Sequence, residues 1–469
     1  MRIVPLIIVF AYIAILYVAT WLTRHWSRGG MIAYLLAGRQ LPAGVAATML
    51  AGLAVGGAST VGTAEQAYQS GLSAGWYNAA WAAGALLMGL VAAKRYRRLE
   101  ICTLPQLFER HYGTFAQVLG SIGQIFIQIV ITSLQYVAGG AILSSLMGDV
   151  FSFEGGMLLT ACLFVGITLI GGFWAAGLTN VINVIVIYVG ILLGCFLAVR
   201  QAGGLSSLAE RLPQGHPGFD LGAIGTGLIA GWFMVMCTQA FSTQAVVQIG
   251  FAAKDERAAR GGYLLGALVI LPVGFLCALI GMAGAALHAG LNPTEALPRT
   301  VLSLDPAVAG IILAGLWAAD VSTAGALLMG SATLVVNDVI RCYLKPEMNE
   351  KQQRSTCRIS ILVLAVATYL LAVHVSGILN ALLVGLSLSP AYTLVALTTL
   401  YAPGWCRRST AAATLLATMA ALGLWVALPE VKAVTNLPHP IYFTWLASLA
   451  GFALSLALDR RRILNSLAR

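Results

Sequence analysis

Apolar stretches of about 20 residues follow one another along this chain, and short connections between them hold most of the charged residues. A helix needs about 20 apolar residues to cross the hydrocarbon layer of a membrane. Of the 469 residues, 59% are hydrophobic and only 9% are charged, whereas a soluble domain carries about 25% charged residues. Most of the surface must therefore face lipid. We predict an all-α, multi-pass integral protein of the cell membrane.

We predict about 13 transmembrane helices, numbered here in chain order. Their spans are 3–23, 43–68, 73–93, 114–147, 153–172, 176–199, 222–250, 262–288, 306–337, 358–376, 379–402, 410–428 and 441–459. No connection between them is long enough to fold alone, so we treat residues 1–469 as a single membrane domain.

The basic residues predict the orientation of the chain. With the N-terminus outside, 22 of the 27 Lys and Arg residues fall in cytoplasmic connections or in the cytoplasmic C-terminus, as the positive-inside rule requires. The net charge of +10 does not indicate nucleic-acid binding, because the basic residues are spread over many short connections rather than one face.

Several classes of function are excluded by missing motifs. The chain has no phosphate-binding loop ending in Lys and Ser or Thr, no GxSxG turn, and no His or Cys residues at metal-ligand spacing. We therefore do not expect an enzyme. Transport by such a protein must draw its energy from an ion gradient.

Helix 2 contains a glycine-rich segment, Ala51–Gly62, with glycines at 52, 56, 57 and 62. Each glycine costs about 1 kcal/mol relative to alanine inside a helix. One interpretation is a discontinuous helix whose free backbone groups bind an ion and a solute. The alternative is close packing of helices through small residues. The segment alone does not decide between them.

Helix 9 contains adjacent hydroxyls, Ser322 and Thr323, one turn after a pair of alanines. A backbone carbonyl and two hydroxyl oxygens at this spacing can converge on a hard cation such as sodium. The alternative is that both hydroxyls bond to carbonyls one turn earlier in their own helix. Taken together with the glycine-rich segment of helix 2, the adjacent hydroxyls of helix 9 favour an ion site.

Five segments in a fixed order resemble the sodium:solute symporter family, and the resemblance spans essentially the whole chain. They are Tyr34–Arg39 before helix 2, Gly62–Leu72 after the glycines, Gln248–Asp255 at the end of helix 7, Ala318–Thr323 in helix 9, and Asn337–Asp338. The resemblance implies a leucine-transporter-like core of two inverted five-helix repeats.

On this basis, residues 1–40 form the first helix and a cytoplasmic loop. Residues 41–200 form repeat 1 (helices 2–6), residues 221–403 form repeat 2 (helices 7–11), and residues 404–469 hold helices 12 and 13 and a basic C-terminus. The resemblance also implies a sodium site. Its ligands would be the carbonyls of Gly52, Val55 and Ala319 and the hydroxyls of Ser322 and Thr323.

The solute is expected near the middle of the bilayer, between broken helices. Helix 7 has an unusual density of polar residues at 237–244, which is costly unless it lines a cavity. Helix 4 has polar residues on one face. The candidate solute ligands are Thr60, Gln135, Gln239 and Ser242. For Gln124 and Gln128 we favour hydrogen bonds between helices instead.

Three further residues are candidates for ion coupling. Asp320 and Glu65 are carboxylates within spans, and intramembrane ionisable groups are functional hypotheses by default. Asp320 stands where the family motif normally has an apolar residue. It could add charge to the sodium site, bind a proton, or point away. Asn180 stands where several relatives have Asp.

We therefore predict a secondary active transporter that takes up a small organic solute with sodium by alternating access. A glycine-rich break with a positive helix end favours an organic acid or an amino acid. A proton-coupled symporter using Asp320 or Glu65 is the nearest alternative, and a channel or non-transporting membrane protein is the alternative of another class. The expected partners are sodium, the solute and the lipid bilayer, with no nucleic acid. The oligomeric state is left open, a monomer included.

Overall fold

The computed structural model describes residues 3–23, 31–147, 150–375 and 377–459. These ranges are almost entirely helical, with one isolated bridge between Leu41 and Ala253. The first cytoplasmic loop at 24–30 and the basic C-terminus from 460, both parts of the orientation argument, lie outside the described residues.

The predicted spans all coincide with helix. Helices 1, 3 and 4 are Ile3–Thr23, Trp76–Val91 and Thr114–Met147, and helix 2 consists of Ala43–Ala54, the π-turn Ala58–Gly62 and Thr63–Ser70. Helix 7 is Thr226–Gln239 plus Gln244–Ala252, helix 8 is Glu256–Ile270 plus Val273–Leu287, and helix 9 is Pro306–Leu334 continued by Val335–Leu344. Helices 10–13 are Glu350–Ala372, Ile378–Leu386 plus Ser389–Tyr401, Thr410–Ala427 and Pro440–Leu458.

Shorter helices complete the described chain. They are Met31–Leu36, Ala37–Arg39, Gly71–Gly75, Ala93–Arg98, Leu104–Tyr112, Leu205–Arg211, Pro293–Glu295, Ala296–Leu302, Pro403–Trp405 and Pro429–Thr435.

Helices 5 and 6 both lie within the helical segment Phe153–Gln201. This segment is not one straight helix, because Phe164 packs on Trp317 and Gly194 lies against Ile312, which are less than two turns apart on helix 9. A straight helix would separate residues 164 and 194 by about 45 Å, so the chain turns back between the two predicted spans. Two parts of it, Phe153–Ile170 and Asn180–Gln201, are each long and apolar enough to cross a membrane.

Length and hydropathy give 10 membrane-crossing helices among the described residues, or 11 if the bent helix 2–3 segment counts as one. The count of 13 stays a prediction. It exceeds 11 by two, because it counts helix 3 separately from helix 2 and counts the two short pieces of helix 7 as one further span. The outer surface is apolar, with Leu268 70% exposed and Phe196 63% exposed. Such exposure suits lipid rather than water.

Helix 9 occupies the interior. It packs against helices 1 and 4 and the segment of helices 5 and 6, and its residues from Ile312 to Ala324 are all buried. Asp305 begins this helix by accepting hydrogen bonds from the N–H groups of Ala307 and Val308. The core of the protein therefore surrounds the segment that carries Ser322 and Thr323.

The beginning of helix 2 is tied to the end of helix 7. The N–H of Leu41 donates to the carbonyl of Ala252 at 3.1 Å, and the N–H of Lys254 donates to the carbonyl of Leu41 at 2.9 Å. Arg97 donates to the carbonyl of Ala253 at 2.5 Å. These bonds join the first helices of the two predicted repeats at one end of the bundle.

Candidate functional site

Helix 2 is broken within its glycine-rich segment. The regular helix ends at Ala54, Val55 has φ −93° and ψ 74°, and helical structure resumes at Ala58 as a π-turn. The segment Ala43–Ala54 and the following segment Ala58–Val91, which continues into helix 3, are bent by 58° relative to each other. The discontinuous helix is thus confirmed. The glycines also pack closely, since a Cβ on Gly57 would lie 2.4 Å from the Cβ of Ala138, so both interpretations of the segment apply.

The two adjacent hydroxyls of helix 9 lie against the backbone of helix 2. Ser322 Oγ donates to the Gly52 carbonyl at 2.8 Å, and Thr323 Oγ1 donates to the same carbonyl at 2.8 Å. Both hydroxyls also reach the Ala319 carbonyl, at 2.9 and 3.1 Å. Four of the five predicted sodium ligands therefore converge on one point.

The fifth predicted ligand, Val55, lies at the break, and its N–H donates to the Ala51 carbonyl at 2.8 Å. The third carbonyl beside the hydroxyls belongs to Leu53, whose oxygen is 3.3 Å from Thr323 Oγ1. The sequence pattern did not indicate Leu53, because nothing in a leucine side chain marks a free carbonyl.

The oxygens at this point fit a hard monovalent cation. They are neutral carbonyls and hydroxyls, and a hydroxyl that donates to a carbonyl can rotate to present a lone pair instead. Oxygen ligands of this kind suit hard cations. The described residues contain no cluster of His, Cys, Asp or Glu that would select a transition metal.

Asn180 lies against the same turn of helix 2. A Cβ atom placed on Gly52 would stand 3.0 Å from Cγ and Nδ2 of Asn180. Asn180 accepts a long hydrogen bond from Asn183, which in turn accepts one from Tyr12 at 2.7 Å. The predicted ion-coupling residue therefore adjoins the candidate sodium site.

The two carboxylates have different surroundings. Asp320 is fully buried, and neither of its oxygens has a hydrogen-bond partner among the described residues. Its Oδ1 lies 3.0 Å from where a Cβ on Gly57 would be, so it faces the break. Glu65 lies further along helix 2, and its Oε2 accepts from the N–H of Ile378 at 3.4 Å. The structure brings Asp320, but not Glu65, to the break.

A cavity of about 30 Å³ borders the break. Two of the predicted solute ligands, Gln135 and Gln239, line it. The complete lining is Leu53, Ala54, Gly56, Ala58, Tyr77, Trp81, Ile131, Gln135, Gln239, Thr243, Val246, Thr323, Leu327, Leu382 and Leu386.

The other two predicted solute ligands do not line this cavity. Thr60 donates to the Gly56 carbonyl at 3.1 Å, and Ser242 donates to the Thr238 carbonyl at 3.2 Å. Both hydroxyls bond back to their own helix, which is the usual behaviour of such residues. Their role as solute ligands stays a prediction.

Thr243 was missed although it lies in the same polar run of helix 7. It lines the cavity, and its hydroxyl has no partner among the described residues. Tyr77 and Trp81, one turn apart on helix 3, supply aromatic faces to the cavity. An i, i+4 aromatic pair could have indicated them.

Residues 34–420 match the sodium:solute symporter family. The chain belongs to this family. It is therefore a multi-pass membrane transporter of the sodium-coupled symport class, and the resemblance noted in the motifs is confirmed. Among its relatives, the sodium/pantothenate symporter of Haemophilus influenzae is 28% identical over 359 residues, covering 72% of each chain.

Another relative is the osmoregulated proline transporter of Bacillus subtilis, which is 24% identical over 73% of this chain and 72% of that protein. Among solved structures, a substrate-bound outward-open sodium-coupled sialic acid symporter superposes with a TM-score of 0.81 at 15% identity, covering 98% of both chains. A nucleobase-cation-symport-1 family transporter in a closed conformation gives 0.61 at 14% identity, covering 91% of this chain and 95% of that one. The leucine-transporter-like fold is thereby confirmed.

Proposed function

We propose that this family member binds sodium between the broken helix 2 and the hydroxyls of helix 9, and binds its solute in the adjoining cavity. The observation that carries the proposal is the position of Thr323. Its hydroxyl is 2.8 Å from the Gly52 carbonyl, and the same residue lines the cavity. A single side chain is thus available to both ligands.

The closeness of the two places provides the coupling. Sodium that draws the hydroxyl of Thr323 toward Gly52 also fixes one wall of the cavity, so either ligand favours the conformation that binds the other. All of the proposed ligands come from one chain, and a monomer is sufficient for this mechanism.

The cavity supports a small organic acid or amino acid. Its lining offers two amides, the hydroxyls of Tyr77, Thr243 and Thr323, and aromatic faces, but no basic side chain. The N–H of Gly57, one of the free amides expected at the break, is occupied by Gln135 Oε1 at 2.7 Å. A solute carboxylate would therefore rely on the neighbouring sodium ion for its counter-charge. Proline and pantothenate, which name two relatives, both carry a carboxylate.

The cavity must open to admit such a solute, since about 30 Å³ is the room of about one or two water molecules. Among the described residues, the amide nitrogen of Gln239 contacts the sulfur of Met236 at 3.7 Å, and Thr243 Oγ1 has no hydrogen-bond partner. Both groups are available to a solute once the helices separate.

Thermal stability of the purified protein, measured against pools of organic acids, amino acids and sugars with and without sodium, tests the proposal. A ligand that binds the folded protein raises its apparent stability by mass action. We expect stabilisation by a carboxylate-bearing solute only when sodium is present. Equal stabilisation in sodium-free buffer would contradict the shared site.

The unpartnered carboxyl group of Asp320 specifically favours a second candidate, a proton-coupled symporter. Uptake into proteoliposomes distinguishes the two. We expect uptake to follow an inward sodium gradient and to persist when the pH gradient is collapsed. Saturable, sodium-dependent uptake would also reject a channel, because a channel conducts without a fixed stoichiometry.

A further inference from the structure

Helix 4 carries a polar face that extends well beyond the cavity. Gln135 lines the cavity, and Gln128, Ser121 and Gln117 follow at steps of seven, seven and four residues. Seven residues are nearly two helical turns, so these side chains lie on one face and about 10 Å separates successive levels. All four are buried, at 1% exposure or less.

Helix 9 presents a matching series to this face. Thr323, Gly330 and Asp338 are spaced by seven and eight residues, and helices 4 and 9 pack against each other. We call the facing residues the polar seam; its members are Gln117, Ser121, Gln128, Gln135, Thr323, Gly330 and Asp338. Helix 9 leads from the candidate sodium site to the end that the basic residues assign to the cytoplasm.

Contacts pair the two helices at three levels. At the first, Gln135 Oε1 and Thr323 Oγ1 both lie 2.5 Å from the Cβ position of Gly56. At the second, Gln128 Oε1 lies 2.5 Å from the Cβ position of Gly330. Gln128 Oε1 therefore packs directly against Gly330, in space that any side chain at position 330 would take.

At the third level, the Asp338 carboxylate accepts hydrogen bonds from Gln117 Nε2 at 3.1 Å and from Ser121 Oγ at 3.4 Å. Thr103, which precedes the short helix Leu104–Tyr112, donates to it at 3.0 Å. Helix 4 itself contains no charged residue. Asp338 is thus the group that places negative charge at the inner end of the polar seam.

Gln128 is the anomaly within the polar seam. For Gln124 the expectation of a hydrogen bond between helices is met, since it donates to the Ser242 carbonyl and accepts from the Gln244 N–H, both at 2.9 Å. For Gln128 that expectation is wrong. It is fully buried, yet neither its oxygen nor its nitrogen has a partner among the described residues.

A buried amide without hydrogen-bond partners destabilises the folded protein. Transient binding of a ligand to the Gln128 amide would explain why a glutamine stands at this position. We propose that sodium passes between the candidate ion site and the cytoplasmic end along the polar seam, with the Gln128 carbonyl oxygen as an intermediate ligand. This inference rests on the proposed function. Neutral oxygens followed by a carboxylate suit a hard cation. An organic solute would require the two helices to separate.

Gln248 reinforces the middle level. Its Oε1 lies 3.6 Å from the Cβ position of Gly330, while its Nε2 donates to the Leu35 carbonyl at 2.8 Å. That bond holds the amide with its oxygen toward Gln128. This second side-chain oxygen faces the passage that we assign to sodium, and it also accepts a long hydrogen bond from Gln244 Nε2 at 3.4 Å.

The test compares Gln128→Leu and Gly330→Ala with a control on helix 9, Gly325→Ala. A Cβ on Gly330 would push against Gln128 Oε1, whereas a Cβ on Gly325 meets Thr168 Oγ1 at an ordinary 3.4 Å. Exchange of radioactive sodium across proteoliposomes gives the rate of passage. Thermal stabilisation by sodium alone reports binding at the ion site.

We expect both seam variants to slow sodium exchange about tenfold with unchanged stabilisation by sodium, and the control to behave as the original protein. Gln128→Leu should fold well, because it removes an unsatisfied polar group. Exchange at the original rate in both variants would overturn the proposal, and so would slowing that appears only with loss of sodium binding. Failure of the ion site itself would be seen separately, as absence of sodium stabilisation in the unmodified protein.

Discussion

The two broken helices of this protein are built differently. Helix 2 breaks at glycines, and the groups it offers there are backbone carbonyls, two of which face the hydroxyls of helix 9. Helix 7 breaks at 240–243. There the backbone groups form hydrogen bonds within the turn, such as the one from the Thr243 N–H to the Gln239 carbonyl at 2.9 Å. It offers side chains instead, from Gln239 and Thr243.

The difference shows how one fold separates two recognition tasks. Backbone oxygens are the same in every residue, so a glycine break can bind an ion without constraining the solute. Side chains at the other break can vary with the solute while the ion site is kept. The four predictions below test this division, in order of decreasing expected effect.

Removing the helix 9 hydroxyls should have the largest effect. Ser322→Ala with Thr323→Ala deletes two oxygens that face the Gly52 carbonyl. We expect sodium affinity to fall by about 100-fold, equal to about 2.7 kcal/mol. Sodium titration of thermal stability measures it. Unchanged affinity would mean that the helix 2 break is not an ion site.

Adding a methyl group at the helix 2 break should have the second largest effect on sodium affinity. In Gly56→Ala the new Cβ would lie 2.5 Å from both Gln135 Oε1 and Thr323 Oγ1. Such overpacking costs about 1–3 kcal/mol, and we expect sodium affinity to fall about tenfold.

Gly44→Ala is the matched control for this change, since it lies in the same helix with nothing within 4 Å of its Cβ position. That variant should be as stable as the original or more stable, because alanine favours helix by up to about 1 kcal/mol. Equal losses in both variants would show that any alanine in helix 2 is harmful and that the break is not special.

The two breaks also differ in how far the sequence predicts them. The helix 2 break follows from local chemistry, since the glycines and adjacent hydroxyls are visible as residue types and the family motif joins them. At the helix 7 break, Ser242 and Thr243 are equally polar, yet only Thr243 lines the cavity. The choice between them depends on which way a tight turn directs each side chain, which no periodicity encodes.

The same limit applies elsewhere. The carbonyl of Leu53 faces Thr323, and a leucine side chain gives no sign in the sequence that its backbone carbonyl is free. The fold class and the membrane spans were predictable because hydrophobic length is a property of the chain itself. The roles of Gly52, Val55, Ala319, Ser322 and Thr323 as sodium ligands stay predictions.

Thr243→Val tests whether the helix 7 break binds the solute and not the sodium ion. Valine keeps the shape but removes a hydroxyl that has no partner among the residues that the structure describes. Losing one hydrogen bond to the solute should cost about 1 kcal/mol, which weakens solute binding about fivefold and leaves sodium binding unchanged. Ser242→Ala serves as the control, because its hydroxyl bonds to its own helix. A larger effect at Ser242 would reverse our assignment of the cavity wall.

The smallest effect is expected from Asn180→Asp, and its direction makes it informative. The side chain adjoins Gly52, so a carboxylate there would add negative charge beside the proposed ion ligands. Burial of that charge opposes the gain, and we expect sodium to bind only about threefold more tightly. If solute affinity measured at saturating sodium stays constant while sodium affinity rises, the two breaks act as separate recognition elements. A change confined to solute affinity would instead place Asn180, and the helix 2 break with it, on the solute side.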